Sequence, residues 1–227
     1  PMQSELTVCL LHWKRPEQMA AVLDALATQE PRPVIFLWNN SVQVFHHPAV
    51  DWQVDSSRNA QCLPRVWMAG WAETPFVCLH DDDLLPYDEH VLHDLVIAAS
   101  RLKADQAVGP CGAILPPDRP YLPHKSVWCP GSTTPVDLVK GRCLVARTEV
   151  LRERIRLADV TCEDGIADDF VVCGRLACGK RFYHVVPAGL TGRYRNLPVG
   201  KEASFASPDH ARRRNAAFRK WLCHANA

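Results

Sequence analysis

The sequence predicts an α/β protein with a mostly parallel central sheet flanked by helices, and three observations carry that reading. Short apolar, partly β-branched runs alternate with stretches of helical apolar spacing, which is the pattern of strand–helix–strand units. The 227 residues are 47% hydrophobic and 22% charged, proportions that suit one large domain spanning 1–227. One apolar run, Phe76 to His80, leads directly into Asp81-Asp82-Asp83, and ligands of open parallel sheets bind at the carboxyl ends of strands.

The elements follow in order. Leu6 to His12 (LTVCLLH) reads as a first strand. Pro16 then opens a helix in which Met19, Val22, Leu23 and Leu26 recur at helical spacing. VIFLW after Pro33 is a second strand, closed by the turn chemistry of Asn39-Asn40-Ser41, and Phe76 to His80 is a third. Residues 88–104 set Val91, Leu92, Leu95, Val96 and Ala99 on one face and so predict a helix. Gly109 to Pro135, rich in Pro and Gly, reads as irregular loop. RCLVA at 142–146 is expected as a strand, Gly165 to Cys178 as a helix, and 182–186 as a last strand. The polar stretch 188–207 reads as a mobile loop, before Ser207 as N-cap and Pro208 in the first turn start a final helix.

Charge and composition exclude several classes of function. Lys and Arg number 26 against 25 Asp and Glu, a net charge of +1, so no global field draws the chain onto nucleic acid or anionic lipid. No apolar run approaches the roughly 18 residues of a membrane-spanning helix. The N-terminus shows no basic stretch followed by an apolar one, so a cytoplasmic location is expected, with a truncated secretory-pathway domain as the alternative. The ten cysteines are scattered without metal-ligand spacing, mostly inside apolar runs, and are expected as reduced core thiols rather than disulfides.

Three constellations carry chemistry. In Asp81-Asp82-Asp83, mutual repulsion becomes useful when a hard divalent cation, Mg²⁺ or Mn²⁺, neutralises it. Alternation along an extended strand end points Asp81 and Asp83 the same way to share a ligand, with Asp83 nearer the solvent end; the competing reading is a solvated turn. Glu163-Asp164 stands at a helix start, where the acids either complement the helix dipole or expose Asp164 to orient or deprotonate an acceptor hydroxyl. His210 and Arg214, spaced i, i+4, share one face of the last helix and reach a diphosphate together, unless that helix is simply an exposed basic one. Arg58, Asn59 and Arg65 precede the third strand and are weaker candidates for nucleotide contact. Trp128, in a polar loop, is a candidate to stack on a sugar.

LWNN (37–40), SRNAQCLPR (57–65), VCLHDDD (77–83), CEDGIADDFVVCGRLACGK (162–180) and DHARRR (209–214) fall in the order of a nucleotide-sugar glycosyltransferase of GT-A type. More narrowly, the chain resembles the exostosin-like transferases, also known as glycosyltransferase family 64. The resemblance implies a GT-A, Rossmann-like fold and transfer of a hexose or N-acetylhexosamine from a UDP-sugar to a hydroxyl of a glycan or small-molecule acceptor. It implies dependence on Mn²⁺ or Mg²⁺ and retention of configuration; an inverting family-2-like enzyme, a non-catalytic binding domain of the same fold and, more distantly, a nucleotidyltransferase are the alternatives. Residues 1–83 would form the nucleotide-binding half and 84–227 the acceptor-binding and catalytic half. Among site residues it implies Asp83 as principal metal ligand with Asp81 and His210, and Asp81 and Asp82 on ribose or water. Arg15, Asn39 or Asn40, Asn59 and Arg65 would contact the nucleotide, and His210 and Arg214 the diphosphate. Glu163 and Asp164 would stand at the reacting centre. The helix after Cys162 carries one additional residue relative to the family pattern, which leaves Asp164, Asp168 and Asp169 as candidates to face the sugar.

Overall fold

The computed structural model describes residues 4–116, 121, 124–156, 160–161, 165–198 and 208–222. Its first half contains β1 (Leu6–His12), α1 (Pro16–Ala27), β2 (Val34–Asn39), β3 (Trp52–Asp55), α2 (Leu63–Trp71), β4 (Phe76–His80), β5 (Leu84–Pro86) and α3 (Val91–Ser100). There follow β6 (Cys111–Ile114), β7 (Lys125–Trp128), β8 (Thr134–Val136), β9 (Leu138–Val139), β10 (Cys143–Arg147) and α4 (Thr148–Arg154). The chain closes with α5 (Asp168–Ala177), β11 (His184–Val186), β12 (Tyr194–Asn196) and α6 (His210–Trp221).

Five strands form the central sheet in the order β10-β4-β1-β2-β3. β1 pairs in parallel with β2 and β4, and β2 with β3, while β10 joins β4 antiparallel. The mostly parallel sheet flanked by helices predicted from the sequence is the observed architecture. Near-continuous apolar runs such as β1 and β4 are what a strand buried on both faces requires. Side-chain alternation splits the core in two. Leu6, Val8 and Leu10 of β1, with Ile35 and Leu37 of β2, pack with Met19, Val22, Leu23 and Leu26 of α1 and with α3. On the opposite face Cys9, Val77, Leu79 and Leu144 meet α2, Phe170 and Leu176 of α5, and Phe218 of α6.

The structure departs from the expectations where elements are short. The region 109–135, expected as loop, contains β6 and β7, which form with β9 a separate three-stranded sheet. The last predicted strand loses its first two residues, because Phe182 adopts φ 51°, outside the extended region. The helix predicted from 165 begins at Asp168, and α6 begins at His210, with Pro208 in the preceding turn. Ser207, the expected cap, lies outside the described residues, as do 199–206 of the expected loop. No helix among the described residues is long and apolar enough to cross a membrane. The eight described cysteines are free thiols.

Candidate functional site

The parallel strands β1, β2 and β4 deliver their carboxyl ends to one edge of the sheet, and a cavity of about 900 Å³ opens there, a size that suits a small-molecule ligand. Its described lining includes Trp13 and Arg15 after β1, Asn40 after β2 and Asp81, Asp82 and Asp83 after β4. Asn59, Cys62 and Arg65 come from the segment around the start of α2, Lys140, Gly141 and Arg142 precede β10, and His210, Arg213 and Arg214 come from α6.

Each aspartate of the acidic run meets an arginine. Arg15 stands at the N-cap position of α1 but makes no capping bond, and its guanidinium reaches Asp82 instead. Arg65, 3% exposed, donates from Nη1 to Asp81 and to the Gly141 carbonyl at 2.8 Å, and from Nε to Asp168 Oδ2 at 2.8 Å. It therefore ties the end of β4, the start of α5 and the approach to β10 into one ion-paired centre. Arg142 Nη2 donates to Asp83 Oδ1 at 2.8 Å. Burial pushes the Asp82 carboxyl up to about 7 against the pull of Arg15, and that of Asp168 up to about 6 against Arg65. His80, fully buried at the end of β4, is pushed down to about 4 by burial and is neutral; its Nδ1 donates to the Asp81 carbonyl at 2.8 Å.

The expected strand-like alternation of Asp81 and Asp83 is corrected. β4 ends at His80 and the chain turns at once into β5, so the two carboxylates take different arginines, and Asp81 rather than Asp83 is the more exposed, at 31% against 14%. The expected metal set Asp81, Asp83 and His210 is likewise not gathered: among the described residues no three His, Cys, Asp or Glu side chains form a group able to hold a metal. A Mg²⁺ or Mn²⁺ ion nonetheless fits the donor chemistry. Such ions are commonly held by one or two carboxylates with ligand phosphates completing the shell, and Asp83, which lines the cavity with its side chain 14% exposed, offers such a carboxylate.

Of the pair Asn39 and Asn40, Asn40 alone lines the cavity, where its amide accepts from Ala60 N at 2.9 Å and donates to the Gln61 carbonyl at 2.9 Å, fixing the segment that carries Asn59. Asn39 is 1% exposed, with both amide hydrogens spent on Gln43 and Asp55 and its oxygen on His12 and Ser41. His210 and Arg214 face the same cavity, as their spacing predicts. The four terminal N–H groups of Arg214, however, go to Asp169 (2.6 and 3.0 Å), the Ile166 carbonyl (2.9 Å) and the Tyr121 hydroxyl (3.3 Å). Its guanidinium also lies 4.0 Å from the centre of the Phe170 ring. The expected phosphate contact is thus replaced by a clamp that seats α6 on α5. Glu163 and Asp164 lie outside the described residues.

Sequence reasoning missed Lys140, Arg142 and Arg213 as lining groups, although Arg213 had a signal in the run of three arginines that opens α6; Asp168 and Asp169, expected as alternatives to Asp164, do line the cavity. In all, six cationic side chains (Arg15, Arg65, Lys140, Arg142, Arg213, Arg214) and five carboxylates (Asp81, Asp82, Asp83, Asp168, Asp169) line the described cavity. Lys140 and Arg213 carry no ion pair there: Lys140 donates to Ser126 Oγ at 3.1 Å and Arg213 to Gln61 Oε1 at 2.6 Å. Trp128, 41% exposed, stands with its ring centre 5.7 Å from the Arg142 guanidinium.

No family model and no curated protein matches the chain. Solved structures do share the fold. A Pyrobaculum calidifontis mannosyltransferase in complex with GDP-Man and Mn²⁺ is 15% identical with a TM-score of 0.55, over 85% of this chain and 59% of that one. S. aureus TarS is 14% identical with a TM-score of 0.54, over 87% and 37%. The bifunctional IspDF of Campylobacter jejuni is 14% identical with a TM-score of 0.51, over 86% and 52%. The chain therefore spans between about a third and three-fifths of the lengths of these structures.

Proposed function

We propose that the chain is a glycosyltransferase that moves a hexose or N-acetylhexosamine from a UDP-sugar to an acceptor hydroxyl, with Mn²⁺ or Mg²⁺ and with retention of configuration. The observation that carries the reading is the cavity at the carboxyl ends of the parallel strands, where a three-aspartate turn stands among guanidinium groups. A pocket rich in both charges suits a ligand that is itself a cation-bound diphosphate. The shared fold with a mannosyltransferase in complex with GDP-Man and Mn²⁺ supports the donor class.

The roles follow from charge. Breaking a sugar–phosphate bond builds negative charge on the departing diphosphate, and fixed positive groups aimed there lower the barrier. In this reading Asp83 holds the cation, which supplies Lewis-acid neutralisation when bound. Arg213 and His210 at the start of α6 face the same charge, where the helix N-terminus adds its dipole. Arg15 with Asp82, and Arg65 with Asp81, hold the ribose side, while Asn40 and Asn59 border the base. The carboxylate that faces the sugar comes from Asp164, with Glu163 beside it, or from Asp168, already in the cavity. Trp128 gives the acceptor side a stacking surface. Residues 1–83 and 84–227 then act as donor and acceptor halves of one domain.

Turnover of a small panel of nucleotide sugars, followed as release of nucleoside diphosphate with and without Mn²⁺, tests this. Mn²⁺-dependent release from a UDP-sugar is expected. Binding of UDP with no turnover of any donor would instead identify a non-catalytic binding domain.

A further inference from the structure

Arg142 occupies a place in the cavity that no other guanidinium shares. Its carbonyl accepts the Asp81 N–H at 3.0 Å, so the main chain fixes its position beside the acidic turn. Its side chain lies over Asp83: Nη2 donates to Oδ1 at 2.8 Å and to the Asp83 carbonyl at 3.3 Å, and Nη1 donates to Asn196 Oδ1 at 2.7 Å. The side chain is 27% exposed, against 14% for Asp83 and 3% for Arg65, so Arg142 is the outer member of its pair and Arg65 is locked within the protein. Asp83 is also the carboxylate to which the proposed function assigns the cation.

We propose that Arg142 is a positioning residue that holds Asp83 until a divalent cation arrives, and then passes to an oxygen of the donor diphosphate. This rests on the proposed function and adds a coupling to it. A cation alone must displace a guanidinium from its carboxylate and leave that positive charge beside itself. With a nucleoside diphosphate present, the released guanidinium gains a new anionic partner. Cation and diphosphate then bind as a pair, each tightening the other by one and the same factor. Arg suits the exchange because its fork fits carboxylate and phosphate oxygens alike.

The test is Mn²⁺ binding to the full chain, read by the electron paramagnetic resonance of free Mn²⁺, with and without UDP. In the wild type, Mn²⁺ alone should bind weakly and UDP should tighten it. Arg142→Gln should tighten Mn²⁺ binding without UDP by about tenfold, because a positive charge within a few ångströms has been removed, and should reduce the mutual tightening by a similar factor. Arg142→Lys, which keeps the charge, should return both quantities toward wild type. If Arg142→Gln is poorly folded, Asn196→Ala removes one anchor of the guanidinium from outside the pair and should shift both quantities the same way by less. Unchanged or weaker Mn²⁺ binding in these variants, with UDP still bound by the wild type, overturns the role of Arg142 alone. A wild type that takes up no UDP, with or without Mn²⁺, overturns the reading of the site and this inference together.

Discussion

Asp82 shows what burial does to a single carboxylate. It is 6% exposed, and its pKa is raised to about 7 although Arg15 touches it. The folded chain therefore holds a proton there over a range where the unfolded chain, with an ordinary value of 3.8, has released it. Stability from this group is complete below about pH 4 and is lost as pH rises through about 7. Asp82→Asn should flatten that dependence, so the gap between variant and wild-type urea midpoints, measured without ligand, should widen in favour of the variant from pH 4 to 7; parallel curves would contradict it. The acidic run is legible in the sequence because three adjacent acids after an apolar strand form a local pattern, and the i, i+4 spacing likewise put His210 and Arg214 on one face. Arg142 is not legible, because its partner lies 59 residues away and a lone arginine before a strand carries no periodicity. Arg65 and Asp168 were each legible as candidates, but their pairing, across 103 residues, was not. The phosphate role read for Arg214 failed for a related reason: its spacing from His210 was visible and the fork of Asp169 was not.

Among elements, legibility follows length and apolar period. β1, α1, β2, β4, α3, β10 and α5 each carry several core residues at one spacing, and their positions were readable. α2 (Leu-Pro-Arg-Val-Trp-Met-Ala-Gly-Trp, 63–71) was missed although it supplies Arg65: it has only nine residues, and a proline and a glycine, which read locally as breakers, stand within it. The strands β5 to β9 have two to four residues each, too few for alternation to show, and they exist because distant strands pair with them. The seat of α6 rests on Gly174 of α5. A Cβ there would stand 2.4 Å from the Trp221 carbonyl oxygen, which is backbone and cannot swing away. Gly174→Ala should therefore push α6 off α5, costing about 1–3 kcal/mol in urea unfolding as overpacking does. Because α6 carries His210 and Arg213, the same variant should also weaken UDP binding. Wild-type values on both counts would show that α6 does not depend on this contact.

At the scale of the molecule, a parallel sheet with two separate cores leaves its carboxyl edge free for chemistry. The two faces are closed by α1 and α3 on one side and by α2, α5 and α6 on the other. The edge then receives charged groups from six chain segments, which pair with one another across the cavity floor. That pairing lets so many charges stand together: breaking a buried pair by removing one partner typically costs about 3–5 kcal/mol. Most of the site's charges are thus paired at rest, with Lys140 and Arg213 outside the ion pairs, an arrangement that suits a ligand bringing charges of both signs. The most direct measurement is calorimetric titration of UDP into the chain with Mn²⁺, compared with the Asp83→Asn variant and with a metal-free control. The account predicts Mn²⁺-dependent binding to the wild type and none that depends on Mn²⁺ in Asp83→Asn. Identical, metal-responsive isotherms for the two proteins would contradict it.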